Sequence, residues 1–407
     1  MASLKLAFRN LLRNRRRSLI ALGTLVVGVV ALLLAGGFIE WIFWAMREST
    51  IESRLGHIQV VRGGYFQAGA ADPFSHLLAG GTAEEDAIRR EPHVKAFAPR
   101  LQFAGLVSFG DNTVSFLGEG VDPDTEKGIS KQLHVNRGED LDAADANGVI
   151  LGTGLARNLG AAVGDRIVLL TTTASGGVNA IEVVIRGLFF TSTKAFDDSV
   201  LRMPIDAARQ LLRTSGAHTW VLLLEDTKRT PLVLADLQER YPKGTTGLEF
   251  VPWFDLADFY NKTVRLFSRQ MLVVQLIIAV IIILTISNMA VMNVLERTAE
   301  IGTLMAVGFR RSRILHLFLA EGVILGVIGG ILGALVGWGL SLVISAIGIP
   351  MPPPPGMDVA FDAEILVTGV LAANGILLAV VAATLATLYP AWKASRLQIV
   401  DALRRSR

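Results

Sequence analysis

Glycine-rich turns before short helices can present backbone N–H groups to a phosphate, and this chain has two of them close together. They are Leu151-Gly152-Thr153-Gly154-Leu155-Ala156 and Leu159-Gly160-Ala161-Ala162-Val163-Gly164-Asp165. No Lys-Ser or Lys-Thr follows either one, and no Rossmann unit surrounds them, so they read as turns between short elements. The six histidines show no metal-ligand spacing, and no nucleophile–base pair stands out. There are no cysteines, which excludes disulfides, thiol catalysis and Cys-based metal sites and leaves the redox compartment open. No catalytic or metal-ligating residue is assigned, and the chain is not expected to be an enzyme. One ionisable group does stand out. Glu321 sits inside an otherwise apolar run, and an acid at membrane depth is a functional candidate by default. It is expected to pair with a basic residue such as Arg313 or to join an inter-helix hydrogen-bond network; Ser287, Asn288 and Asn293, in another apolar run, are expected to act as polar glue between helices. A proton relay would need further acids or histidines in line, and none continues it.

The elements that carry these residues are membrane spans. The 407 residues are 51% hydrophobic and only 18% charged, with mean hydropathy +0.48; an average soluble protein has roughly 25% charged residues. The deficit is concentrated in four apolar runs long enough to cross a bilayer, at 18–46, 269–295, 314–349 and 365–391. A charge-free run of that length can satisfy its backbone only as a helix. The first run is longer than a signal-peptide core and ends in Phe38, Trp41, Phe43 and Trp44, as an interfacial aromatic belt does.

Basic residues set the orientation. Arg13, Arg15, Arg16 and Arg17 precede the first span, Arg310, Arg311 and Arg313 lie between the second and third, and Lys393 and Arg396 follow the fourth. The loop at 350–364 has acids and no Lys or Arg. By the positive-inside rule both termini are expected in the cytoplasm and residues 47–268 outside, in the inner (cytoplasmic) membrane of the cell. The net charge of +3 would permit nucleic-acid binding, but the charge sits beside the spans, so no nucleic-acid partner is expected.

Residues 47–268 read as an α/β domain of two subdomains with an insert at about 148–213. Strand-like runs occur at His57 to Val61, Val114 to Leu117, Arg166 to Leu170, Ile181 to Ile185 and Trp220 to Leu224. Helical runs occur at Thr82 to Arg90, Asp206 to Leu212 and Pro231 to Arg240. Ala174-Ser175-Gly176-Gly177 joins two strand-like runs and predicts an exposed hairpin.

Three short features have a mechanical character. In the 296–313 segment, Ile301, Leu304, Met305 and Gly308 fall at i, i+3, i+4 and i+7, one face of a short helix. That face suits a groove on a partner protein or the lipid surface, and the pattern does not choose. The third span carries two small-residue ladders, Gly322, Gly326, Gly330 and Gly329, Gly333, Gly337, which predict a close packing seam between helices. Pro350 and Pro352 to Pro355 make a stiff outer link. Residues 1–17 read as an interfacial helix feeding the first span.

Three segments at the basic ends carry a resemblance. They are Ala7-Phe8-Arg9-Asn10-Leu11-Leu12-Arg13-Asn14-Arg15-Arg16-Arg17, Glu296-Arg297-Thr298-Ala299-Glu300-Ile301-Gly302-Thr303-Leu304-Met305-Ala306-Val307-Gly308, and Pro390-Ala391-Trp392-Lys393-Ala394-Ser395-Arg396 with Val400-Asp401-Ala402-Leu403-Arg404. Together with the order span, outer domain, three spans, the chain resembles the permeases of MacB/FtsX-like ABC transporters, closest to the lipoprotein-releasing LolC/LolE type. The resemblance implies a type VII ABC transporter-like fold: four transmembrane helices with a large extracytoplasmic α/β domain between helices 1 and 2.

It further implies a cytoplasmic ABC ATPase in two copies, a second permease (identical or a paralogue) and a periplasmic lipoprotein carrier or adaptor. ATP and magnesium would be bound by the ATPase, since this sequence has no phosphate loop. Glu296, Arg297, Glu300, Ile301, Leu304, Met305 and Gly308 become the expected coupling helix, with Ile301, Leu304 and Met305 as its anchors. The cargo is expected to be lipoprotein or lipid. MacB-like efflux and FtsX-like signalling to a cell-wall hydrolase are the alternatives.

Overall fold

The computed structural model describes Arg9, Arg13 and residues 15–69, 72–191, 194–351 and 361–396. Pro352 to Pro355 and the segment at 400–404 lie outside the described residues. The chain forms two compact units, Ala45–Lys262 with Met351–Phe361, and Met1–Trp44 with Thr263–Pro350 and Asp362–Arg407.

The first unit is built on a ten-stranded sheet. Its strands are β1 (Ile58–Arg62), β2 (Val94–Phe109), β3 (Asn112–Val121), β4 (His134–Gly138), β5 (Gly148–Gly152), β6 (Arg166–Thr172), β7 (Val178–Phe190), β8 (Val200–Pro204), β9 (Thr219–Leu224) and β10 (Leu248–Pro252). They run in the order β10-β1-β9-β2-β3-β8-β5-β7-β4, and β6 pairs with both β2 and β7. All five strand-like runs and all three helical runs seen in the sequence are present. The hairpin at Ala174 to Gly177 joins β6 to β7, closed by bonds between Thr173 and Gly177.

The insert at 148–213 is not a separate subdomain. β8 pairs with β3 in parallel and β6 pairs with β2, so its strands belong to the common sheet. The two largest hydrophobic cores of the unit are nonetheless distinct. One gathers Leu101, Phe116, Leu151, Ile185 and Met203; the other gathers Ile58, Phe97, Trp220, Leu237 and Phe250. The glycines of the first turn serve close packing: a Cβ on Gly154 would lie 2.8 Å from Asp198 Cα. Gly160, at φ +76°, ends the helix Thr153–Leu159 in the left-handed conformation that glycine adopts without strain.

The second unit holds four long apolar helices, here α1 (Arg15–Thr50), α2 (Asp258–Glu296), α4 (Arg311–Ile347) and α5 (Gly369–Ser395), with the short α3 (Thr298–Ala306) between α2 and α4. All four are long and apolar enough to span a membrane. α1 and α2 run beyond the apolar stretches read from sequence, by up to eleven residues at the start of α2.

The glycine ladders of α4 face two different helices. Gly322, Gly326 and Gly330 lie against Thr387, Val380 and Ile376 of α5. Gly329, Gly333 and Gly337 lie against Leu25, Val29 and Leu33 of α1. Both seams are therefore internal to this chain, and the helix backbones approach where a side chain would intervene.

Candidate functional site

The basic end of the helical unit gathers most of the residues singled out above. α3 starts directly after α2, with Arg297 as the hinge residue at φ −96° and ψ 11°. Its nine residues are too few to span a bilayer, so its position depends on what holds it. Three ion pairs do so. Glu300 accepts from Arg13 at 2.5 Å, Glu296 pairs with Arg17, and Arg297 donates to Glu321 of α4 at 3.2 Å. Arg297 also donates to Glu300 at 3.1 Å and stacks over the Phe318 ring. The hydrogen bond from Arg13 holds the Glu300 carboxyl below the usual range, against the opposing effect of burial. The pair Arg297–Glu321 is the buried one, each residue under a tenth exposed.

Several expectations change at this point. Glu321 is paired with Arg297 and not with Arg313, which stacks on Phe309. Arg313 is eight residues before Glu321 on the same helix, about 12 Å along the axis at 1.5 Å per residue, beyond the reach of a direct contact. Ile301 is not a free anchor: it is 3% exposed and packs with Val294, Ile314, Phe318, Ala391 and Ala394. Met305 is partly packed on the same cluster. The face of α3 that remains open carries Thr303, Ala306 and Val307, the last 76% exposed, with Leu304 half-buried beside it and Gly308 exposed. Gly308, at φ +99°, turns the chain out of α3.

Beneath the ion pairs lies a cavity of about 40 Å³ lined by Ser18, Asn293, Phe318, Glu321, Thr387 and Pro390. Asn293 Oδ1 is buried there without a hydrogen-bond partner among the described residues. Pro390 has no N–H to give the carbonyl of Ala386, so the α5 ladder lacks one hydrogen bond beside this cavity. Asn288 is not part of this network. Its side chain is exposed and makes no hydrogen bond among the described residues.

A second polar centre, in the sheet unit, was missed by sequence reasoning. Arg100 of β2, Glu119 of β3, Arg202 of β8 and Glu126 are all at most 5% exposed. Arg100 donates to Glu126 at 2.6 and 3.1 Å, and Arg202 to Glu119 at 2.9 Å. Arg100 also caps the carbonyl of Arg54, at the π-helical turn Ile51–Leu55 that continues α1. Burial disfavours the Glu119 carboxylate, but Arg202, Arg100 and Arg54 outweigh it and hold its pKa below the usual value. The sequence signal was present: Glu119 and Arg202 are single charges set within otherwise uncharged strands. Among the described residues no group of His, Cys, Asp and Glu could hold a metal.

Residues 18–240 match the MacB-like periplasmic core domain, and residues 272–399 the FtsX-like permease C-terminal domain. The chain is 26% identical to the lipoprotein-releasing system transmembrane protein LolC of Xylella fastidiosa, over 77% of this chain and 78% of that one. It is 37% identical to the macrolide export ATP-binding/permease protein MacB of Syntrophobacter fumaroxidans, over 37% of this chain but only 20% of that protein. The crystal structure of the periplasmic region of MacB from Actinobacillus actinomycetemcomitans covers 53% of this chain and 94% of its own, at 11% identity and TM-score 0.37. The first match alone spans more than half of the residues, and the order of the two matches along the chain is the order of the sheet unit and the last three spans. The chain belongs to the MacB/FtsX-like family of ABC transporter permeases.

Proposed function

We propose that this permease converts the closing of a separate ATPase into movement of its outer domain, and that the cargo is a lipoprotein or lipid taken from the outer leaflet of the inner membrane. The observation that carries the cargo reading is the extent of the LolC match, which runs through more than three quarters of both chains. The higher identity to MacB over a shorter segment supports a second reading, efflux of a drug or peptide with a periplasmic adaptor.

In the mechanism we favour, α3 is the coupling element and lies in the cytoplasm, on the Lys/Arg-rich side. Val307, Leu304 and the Gly308 turn would enter the ATPase groove, because they are what α3 leaves open. Ile301 and the three ion pairs would act on the other side, passing displacement of α3 to α1 and α4. An interface of this size depends on one or two apolar anchors. ATP and magnesium would be held by the ATPase.

The test is purification of the chain with its co-encoded ATPase, followed by mass spectrometry of what is bound and by ATPase assays with candidate cargo. Bound lipoprotein or lipid that stimulates hydrolysis supports the first reading. Stimulation by small amphipathic drugs or peptides, with no lipoprotein bound, selects the second.

A further inference from the structure

Basic residues of two kinds sit at the Lys/Arg-rich end of the helical unit. Arg13, Arg17 and Arg297 each meet an acid. Lys393 and Arg396, at the end of α5, are exposed, and neither makes an ion pair or a side-chain hydrogen bond among the described residues. α5 itself contains no Asp or Glu. Two like charges three residues apart on a helix repel unless an anion lies between them. Ile314, near the start of α4, packs with Ala394. That brings the exposed Arg311 and Arg313 to the same level, again with no ion pair among the described residues.

The side chains along α5 define the kind of anion. Leu377, Val381, Leu385 and Leu388 are exposed on one side of the helix, at steps of four, four and three. They cover about 16 Å of its axis, the depth of one leaflet in a hydrocarbon core about 30 Å thick. The stripe continues through Tyr389, Trp392 and Arg396, about 10 Å further along and so across the headgroup layer. The rings of Tyr389 and Trp392 stack at 6.4 Å between centroids, and the Arg396 guanidinium lies 4.5 Å over the Trp392 ring. A guanidinium held by its face keeps its N–H edge for a ligand, and that edge matches two oxygens of a phosphate.

We infer that this end of α5 binds one anionic phospholipid. Its acyl chain lies along the leucine stripe, its glycerol region meets Tyr389 and Trp392, and its phosphate is held by Arg396 and Lys393. Charge and depth together favour a lipid. A free phosphate makes no use of the apolar stripe, and an acidic protein surface does not reach residues at hydrocarbon depth. A zwitterionic lipid brings its own cation, which the basic pair repels. The inference rests on α5 lying in a membrane, and not on the cargo or on α3 as the docking element.

Trp392 reports on the site directly. The full chain is placed in phosphatidylcholine vesicles containing phosphatidylglycerol or phosphatidylcholine brominated near the headgroup end of the chain. Quenching of Trp392 is the difference between each protein and its W392F counterpart. Phosphatidylglycerol should occupy the site about fivefold more readily for each basic side chain that holds it. K393Q and R396Q should each lose about that factor, and the double variant should lose the preference. R396K keeps the charge without the planar fork and should fall between R396Q and the unchanged chain. The same difference taken with W44F, near the far end of α1, should show no preference, and millimolar inorganic phosphate should not displace the lipid. Equal quenching by the two lipids at Trp392 overturns the proposal, as does a preference that survives K393Q with R396Q or is as large at Trp44. Displacement by inorganic phosphate would make the ligand a free anion, and R396K equal to the unchanged chain would overturn the fork.

Discussion

Replacing Gly326 with alanine should loosen the helical unit, and the size of the effect follows from the contact it makes. A Cβ at Gly326 would lie 2.7 Å from Val380 Cα and 3.1 Å from Ala379 O. Both are backbone atoms of α5 and cannot rotate aside. Carbon atoms rest about 3.5–4.0 Å apart, so the two helices must separate by roughly 1 Å, which forfeits a quarter to a half of each contact along the seam. Overpacking of this kind costs about 1–3 kcal/mol. Alanine also favours the helix over glycine by up to about 1 kcal/mol, which masks part of the loss. Gly339 lies on the same helix and has nothing within 4 Å of its Cβ position, so G339A carries the propensity gain alone. The difference between the two variants should be about 2 kcal/mol, or some 4–8 °C in thermal unfolding for a body of this size. The assay is unfolding of the purified chain in mild detergent, followed by circular dichroism. G326A and G339A melting together would refute the assignment of this seam. Because the ladder is internal, G326A should act on the helix bundle of the single chain.

Three further outcomes are expected. V307D should leave membrane insertion and the sheet unit intact but weaken ATPase association about thirtyfold, as loss of an anchor contributing about 2 kcal/mol does, whereas I301D should destabilise the helical unit itself; co-purification and thermal melts separate the two, and full association in V307D would remove α3 as the docking element. Burial drops the pKa of His57 and of His218 to about 4, against 6.5 unfolded. Each contribution, about 3 kcal/mol, is complete above pH 6.5 and is lost as the pH falls from 6.5 towards 4; Trp220 and Trp253 fluorescence should report an outer domain that weakens across that window, and a flat profile would show the histidines to be solvated. R100M should cost about 3–5 kcal/mol by leaving Glu126 buried without its main partner, and R100M with E126L should recover much of it; urea unfolding checks this, and equal loss in both variants would contradict the pairing.

Much of the architecture was legible because membrane insertion demands long uncharged runs, and Met271 to Leu295 has no other reading. The periodicity of α3 and α4 was legible too, but periodicity names a face and not its neighbour. Gly326 and Gly329 look alike in sequence, yet one meets α5 and the other α1. Ile301 was read as an outward anchor because apolar residues on a short polar-flanked helix suit a partner as well as they suit the chain's own core. β2, the longest strand, escaped notice because Pro99, Arg100 and Gly105 break its apolar pattern. Arg100 is there because the fold supplies Glu126 from another element, and pairing across the fold is invisible to local patterns. The partner of Glu321 was hidden for the same reason.

The two glycine faces of α4 also bear on where this bundle can deform. On the α5 face the α4 glycines meet backbone atoms, and on the α1 face they meet the β-carbons of Leu25, Val29 and Leu33, so little side-chain layer is left to shear and α1, α4 and α5 form a stiff slab. α2 is held differently. It leans on that slab through isoleucines, whose rotamers can adjust, and only 22% of its most apolar window is buried. A displacement entering at α3 therefore meets high resistance within the slab and low resistance between the slab and α2. Strain from the ATPase should be stored at that softer seam, making α2 the spring of the bundle and the other three helices its frame.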